Sequence, residues 1–427
     1  MPMAITDHPL RYDLTNELHA RPFPSITLPA TVVFLAVKQP VDAAARDRGA
    51  DLAHLVALLD RHGAAHPQPG ATHYSGQIGR HVLKWEQHAE FVTYTAFCPG
   101  LSERPFDPAD FDVFPGDWLA AAPGQRITSI LMRLDRRGGD GEVAHRLDGW
   151  FVPESLAVAR VLDDAAVVAG DFRIDTGGHM RFALFAGDDT GARRIGRIVQ
   201  RLCEIETYKA MSMLGFSRAR DLSGRIGAME GQLNALMAEM QDSVTPAERT
   251  LDHLLRTAGE IESAATQAAF RFGATGAYEA IVNQRIAALR EARFLGRQTF
   301  SEFMMRRYEP AMRTVKATER RLGALAERAM RTGDLLRTRV DVERSAQNQA
   351  LLASMDRRAD LALRLQETVE GLSVVAISYY AVSLAGYLLY PVAEALGASK
   401  GGLQAAVTLP VVALVWWMVR RIRKRIG

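Results

Sequence analysis

Around Gln87–Ala89 the stretch WEQHAEF places Glu86, His88 and Glu90 at alternate positions, directly after Trp85. A carboxylate, an imidazole and a second carboxylate at one hairpin turn have the chemistry to relay a proton or hold a cation. The same residue types also make an ordinary solvated turn. Nearer the start, NELHARPFP sets Glu17, His19 and Arg21 at every second position, so on an extended segment all three point the same way and Arg21 is placed to clamp an anion. Anchoring of the leader by hydrogen bonds from His19 and Arg21 is the structural alternative. Six of the eleven histidines, His54, His62, His66, His73, His81 and His88, fall within thirty-five residues. Their spacing does not match a metal-ligand set.

Stronger motifs are absent. The chain has no GxxxxGK[ST], HExxH, GxSxG, GxGxxG or EF-hand loop, so no catalytic residue, cofactor or metal is expected, and an enzyme is not expected. Cys98 and Cys203 are the only cysteines and lie outside any CxxC, which predicts reduced thiols. With Lys plus Arg at 52 and Asp plus Glu at 49, the net charge of +3 gives no reason to expect nucleic acid as a partner.

The elements that must position these residues divide along 427 positions. Residues 1–188 carry short apolar runs broken by Gly, Pro and Asp, the pattern of an α+β domain. A buried strand is expected within Leu28–Val37 and a helix around Leu52–Leu59. Val82–Trp85 is expected to pair with Phe91–Phe97, Val143–Phe151 to form a strand after a glycine turn, and two strands to flank Gly177–Gly178. Asp188, Asp189 and Thr190 are predicted to cap a helix. Residues 189–370 are rich in Ala, Leu, Arg and Glu and read as long helices, one starting at Pro246 and another broken at Pro310. Arg197, Arg201, Glu204 and Tyr208 share one helical face, as an ion-pair ladder would. At the end of this region Leu351, Met355, Arg358, Ala362, Leu365, Val369 and Leu372 alternate spacings of four and three, a heptad seam that seeks a partner helix.

Residues 371–390 contain no charge and match the roughly 20 residues that span a bilayer core. Residues 403–419 are also uncharged and end on Trp416 and Trp417 before a basic tail at 420–427. A transmembrane hairpin over 371–419 follows, with Ser373, Ser378, Tyr380 and Ser383 as its span-lining polar groups. Five basic residues in the tail, against Lys400 alone in the loop, predict a two-span inner-membrane protein with both termini in the cytoplasm. Its expected partners are the lipid bilayer, a second copy of itself and a cytoplasmic protein.

Several of these stretches, NELHARPF, WEQHAEFVTYT, GRIVQRLCEIETYKAM and LRLQETVEGLSVVAISYY, together resemble a bacterial family of uncharacterised membrane-anchored proteins. The resemblance spans nearly the whole chain. It implies membrane anchoring and no particular reaction. In the order of its elements alone the chain is also similar to the CorA class of magnesium channels, which implies a CorA-like oligomeric build. The Gly-Met-Asn that ends the first span in that class is replaced here by Gly386, Tyr387, Leu388, Leu389 and Tyr390 before Pro391.

Overall fold

The computed structural model of the chain describes residues 5–12, 15, 23–240, 245–395, 397 and 399–426. They group into two compact units, one of residues 1–241 and 252–332, the other of residues 242–251 and 333–427.

The first unit is built on one nine-stranded sheet. Its strands are β1 (Ala30–Lys38), β2 (His73–Ile78), β3 (His81–Gln87), β4 (Phe91–Pro99), β5 (Gln125–Arg136), β6 (Ala157–Val161), β7 (Ala166–Ile174), β8 (Met180–Ala186) and β9 (Ala292–Arg293), in the spatial order β2-β3-β4-β1-β5-β8-β7-β6-β9. All neighbours are antiparallel except β5 and β8. The expected β3–β4 hairpin is present, with Val82 opposite Phe97 and Gln87 opposite Val92. β1 is buried along its whole length because both its faces are covered, which is why it reads as a continuous apolar run.

On one face α1 (Arg48–Arg61), α2 (Gly116–Ala120) and α3 (Asp140–Trp150) close a core that takes every second strand residue: Leu35, Leu83, Trp85, Tyr94, Leu131 and Phe185. The helix α3 replaces the strand expected at Val143–Phe151. Val143 and Leu147, four apart, are its two buried positions, and Asp140 and Glu142 in its first turn favour the helix dipole. On the other face lies α4 (Ala192–Glu239), whose N-cap is Gly191. None of Asp188, Asp189 and Thr190, expected to cap it, occupies that position, and Thr190 donates to the Ala165 carbonyl at 2.7 Å.

Next come α5 (Ala247–Leu289), α6 (Phe300–Arg307) and α7 (Glu309–Ala395). As the sequence indicates, α5 starts directly after Pro246, and Pro310 sits in the first turn of α7, where its missing N–H costs nothing. A capping box between Thr299 and Glu302 starts α6.

In the second unit, Glu248 of α5 pairs with Arg344 of α7 at 2.9 Å. Here α7 continues without a break through the heptad seam into the first apolar stretch and ends at Ala395, so Pro391 lies within its last turns and the connection to α8 (Lys400–Ile426) is shorter than expected. Both α7 and α8 contain a window apolar enough to cross a membrane, with mean hydropathy 1.7 and 1.8, of which only 6 % is buried.

Candidate functional site

The alternation that sends Leu83 and Trp85 into the α1–α3 core sends Lys84 and Glu86 to the α4 face of the sheet. Between these strands and α4 lies a cavity of about 320 Å³. Phe34, Phe91, Phe97 and Val199 supply its apolar walls; Glu86, His88, Lys84, Glu204 and Arg285 supply its polar side, and Phe23 and Pro24 close one edge. The backbone of Pro24 lies so close to Gly196 that a methyl group there would overlap the Pro24 carbonyl.

The charges in this cavity are joined in a chain. Lys84 Nζ lies 3.1 Å from Glu86 Oε2 and donates at 3.1 Å to Gln200 Oε1; Gln200 donates to Glu204 at 2.9 Å, and Glu204 is gripped by Arg285 of α5. This is not the ladder expected along one helix: Glu204 bridges to another helix, and Arg201 donates to the Ala288 carbonyl at 3.0 Å. The Cys203 thiol also lines the cavity, and burial pushes its pKa well above the usual thiol range, so it is a poor nucleophile. With its carboxylates paired and aromatic rings opposite, the cavity suits an amphipathic small molecule better than acid–base chemistry.

Of the residues singled out in the sequence, Glu86 and His88 meet in this cavity, His88 stacked on Phe91 at 4.3 Å. Glu90 does not join them as part of a solvated turn. It is fully buried, bound by Arg271 and accepting from Tyr278 Oη at 2.7 Å. Burial, and then the bond to Glu90, raise the Tyr278 pKa. Trp85 belongs to the opposite face. Glu17, His19 and Arg21 lie outside the described residues.

The partners that sequence reading missed, Arg271, Tyr278 and Arg285, stand seven residues apart on α5 and so share one face; Arg271 and Tyr278 hold the hairpin through Glu90, nearly two hundred positions away, and Arg285 holds Glu204 of α4. That heptad spacing of Arg, Tyr and Arg was the available signal.

The clustered histidines are dispersed by the fold, and among the described residues no three potential ligands are grouped for a metal. His54 is a core residue: Nε2–H donates to the Trp118 carbonyl at 2.9 Å, which leaves Nδ1 to accept from Tyr94 Oη at 2.8 Å. Burial, the largest influence, lowers its pKa below 6.5. Folding therefore favours the neutral ring. The His54 contribution is whole above the unfolded-state pKa near 6.5 and is lost as pH falls below it towards the folded value. Hydrogen–deuterium exchange at the imidazole C2 position, followed by mass spectrometry, should place the His54 midpoint below 6.5; a midpoint at or above that value would contradict the buried neutral ring.

In the hairpin, Ser378 and Ser383 of α7 line a cavity of about 500 Å³ with Gln404 and Thr408 of α8. The Ser378 side chain, from a residue only 6 % exposed, has no hydrogen-bond partner among the described residues. Ser373 and Tyr380, expected beside them, do not line it. Ser373 Oγ instead donates back to the Val369 carbonyl at 2.8 Å, and Tyr380 is exposed.

A family model described as "Protein of unknown function (DUF3422)" matches residues 6–426. No curated protein and no solved structure matches the chain.

Proposed function

Since the chain belongs to the family described as protein of unknown function (DUF3422), we propose from its own physical features that it is a membrane-anchored, self-associating protein that displays its α+β unit in the bacterial cytoplasm as an interaction module. It acts by binding rather than catalysis. One observation carries this reading: the heptad residues of α7, Leu351, Met355, Leu365, Val369 and Leu372, are all exposed, and the helix then enters a stretch apolar enough to cross a bilayer. Apolar side chains in this register, left open beside a membrane segment, find cover by packing on the same seam of a second copy.

Orientation rests on charge. Arg420, Arg421, Arg423, Lys424 and Arg425 follow the second span, whereas Lys400 is the basic residue of the loop, so both termini face the cytoplasm of an inner membrane. The binding partners on this reading are lipid, a second copy and a cytoplasmic protein at the α+β unit. A CorA-like oligomeric channel is the competing reading, favoured by the serine, threonine and glutamine cavity between α7 and α8.

The test is the mass of the full chain in detergent, with topology reporters fused at the loop and at the carboxyl end. A dimer or higher oligomer with a cytoplasmic carboxyl end is the expected result. A monomer would overturn self-association, and a symmetric pentamer that passes ions in liposomes would replace the interaction module with the channel.

A further inference from the structure

A second cavity, of about 460 Å³, opens where β1 ends, β5 begins and the two cross α4 and α5. Four cations reach it: Lys38 at the end of β1, Arg126 at the start of β5, Arg218 on α4 and Arg271 on α5. Asp221 is the one carboxylate among its described lining residues, and Glu90 lies behind Arg271, already bonded to it. Two positive charges are thus left without a counter-charge among those residues.

Two of these cations, Lys38 and Arg271, are held unlike those of a solvated surface patch. Lys38 is only 8 % exposed, and its ammonium donates to the neighbouring Gln39 carbonyl at 2.8 Å rather than to a carboxylate. Burial first, and Arg271 next, pull its pKa below the usual lysine value, against the opposing pull of Glu90. The Arg126 side chain makes no hydrogen bond or ion pair among the described residues. Its guanidinium occupies space left by Gly178, where φ is +86° and a side chain would collide with it. Among the described residues the Arg218 side chain reaches a single, neutral acceptor, Gln267 Oε1, at 3.4 Å. A β-bulge between Ala36 and Val37 shifts the register against β5 at this point, a device that re-aims side chains beside binding sites. On α4 the lining positions Leu214, Ser217, Arg218 and Asp221 follow helical spacing, so a single face of the helix forms one wall.

We propose that this cavity, walled by Lys38, Arg126, Arg218 and Arg271, is a binding site for a doubly charged phosphate group. Two uncompensated charges match a phosphate dianion. Arginine forks pair with tetrahedral oxyanions through two parallel hydrogen bonds, and a partly buried ammonium adds a point charge. Ile127, Leu214 and Pro40 leave an apolar margin for the group that carries the phosphate. That carrier is either a free phosphate compound or a lipid headgroup, since both present the same chemistry.

The experiment is calorimetric titration of the full chain in a neutral detergent with pyrophosphate, and separately with a short-chain phosphatidic acid that stays monomeric. Both are run at about 0.15 M salt, where surface attraction is largely screened. Arg126→Gln is the main variant, because an exposed arginine without partners leaves folding intact on removal. Arg218→Gln is the second, and Arg256→Gln on the exposed side of α5 is the control. At least one of the two ligands should bind, and about tenfold or more weaker to Arg126→Gln and to Arg218→Gln, with Arg256→Gln unchanged. Binding of pyrophosphate identifies a free phosphate as the carrier, and binding of the lipid alone identifies a headgroup. No binding of either ligand by the parent chain, or equal binding by the parent and Arg126→Gln, would overturn the site.

Discussion

Replacing Arg46 by methionine is expected to destabilise the first unit by about 3–5 kcal/mol, the range for breaking a buried ion pair from one side. The Arg46 and Asp51 side chains are 2 % and 3 % exposed and meet at 2.8 Å. The same guanidinium donates to the carbonyls of Ala43, Ala89, His88 and Phe91 at 2.6–3.0 Å, so it closes the β3–β4 turn from within. Methionine fills the volume and supplies no donor. Asp51 would retain Gln87 Nε2 at 3.1 Å and no counter-charge. At about 2–4 °C per kcal/mol for a unit of this size, the melting temperature should fall by about 10 °C, read from the fluorescence of the buried Trp85 and Trp118. Arg46→Lys should recover less than half of that loss, because one ammonium cannot serve acceptors on both sides of the turn. If Arg46→Met melts within about 2 °C of the parent chain, the turn is held by something other than this residue.

The second large effect concerns α7. Leu351 and Leu365 are 59 % and 66 % exposed, two helical positions of the same seam fourteen residues apart. Burying each against a second copy is worth about 1.5–3 kcal/mol, so Leu351→Gln with Leu365→Gln should weaken association by about 3–6 kcal/mol, a factor of roughly 10² to 10⁴. Glutamine keeps the helix propensity of leucine, so the far-ultraviolet circular dichroism should not change. The measurement is particle mass in detergent against protein concentration. An unchanged mass at the lowest concentration that can be measured would remove the seam from the interface and leave the spans as the remaining contact.

Much of the candidate site is legible in the order of the residues, and the reason is local. Alternation along a strand assigns Glu86 to one face and Trp85 to the other once either face is known. The polar turn between two apolar runs announces the β3–β4 hairpin. Charge-free runs of bilayer length mark α7 and α8, since hydrocarbon tolerates only a self-satisfied backbone. By contrast, Val143–Phe151 misleads as a strand because a short apolar run flanked by glycines has no unique period, and the pair Val143 and Leu147 fits either a helix face or a strand.

The features that can be read along the chain are therefore the periodic ones: the strands, the long helices, the uncharged hairpin and the exposed heptad seam that continues into it. Which distant charges meet is settled only in three dimensions. Glu90 reads as a solvated turn residue until Arg271 and Tyr278 reach it from α5, and Lys38, Arg126, Arg218 and Arg271 form one basic cavity although they come from four separate elements. Charge pairing depends on distance in space and desolvation at the meeting point, and neither quantity is encoded in the spacing of residues along a chain.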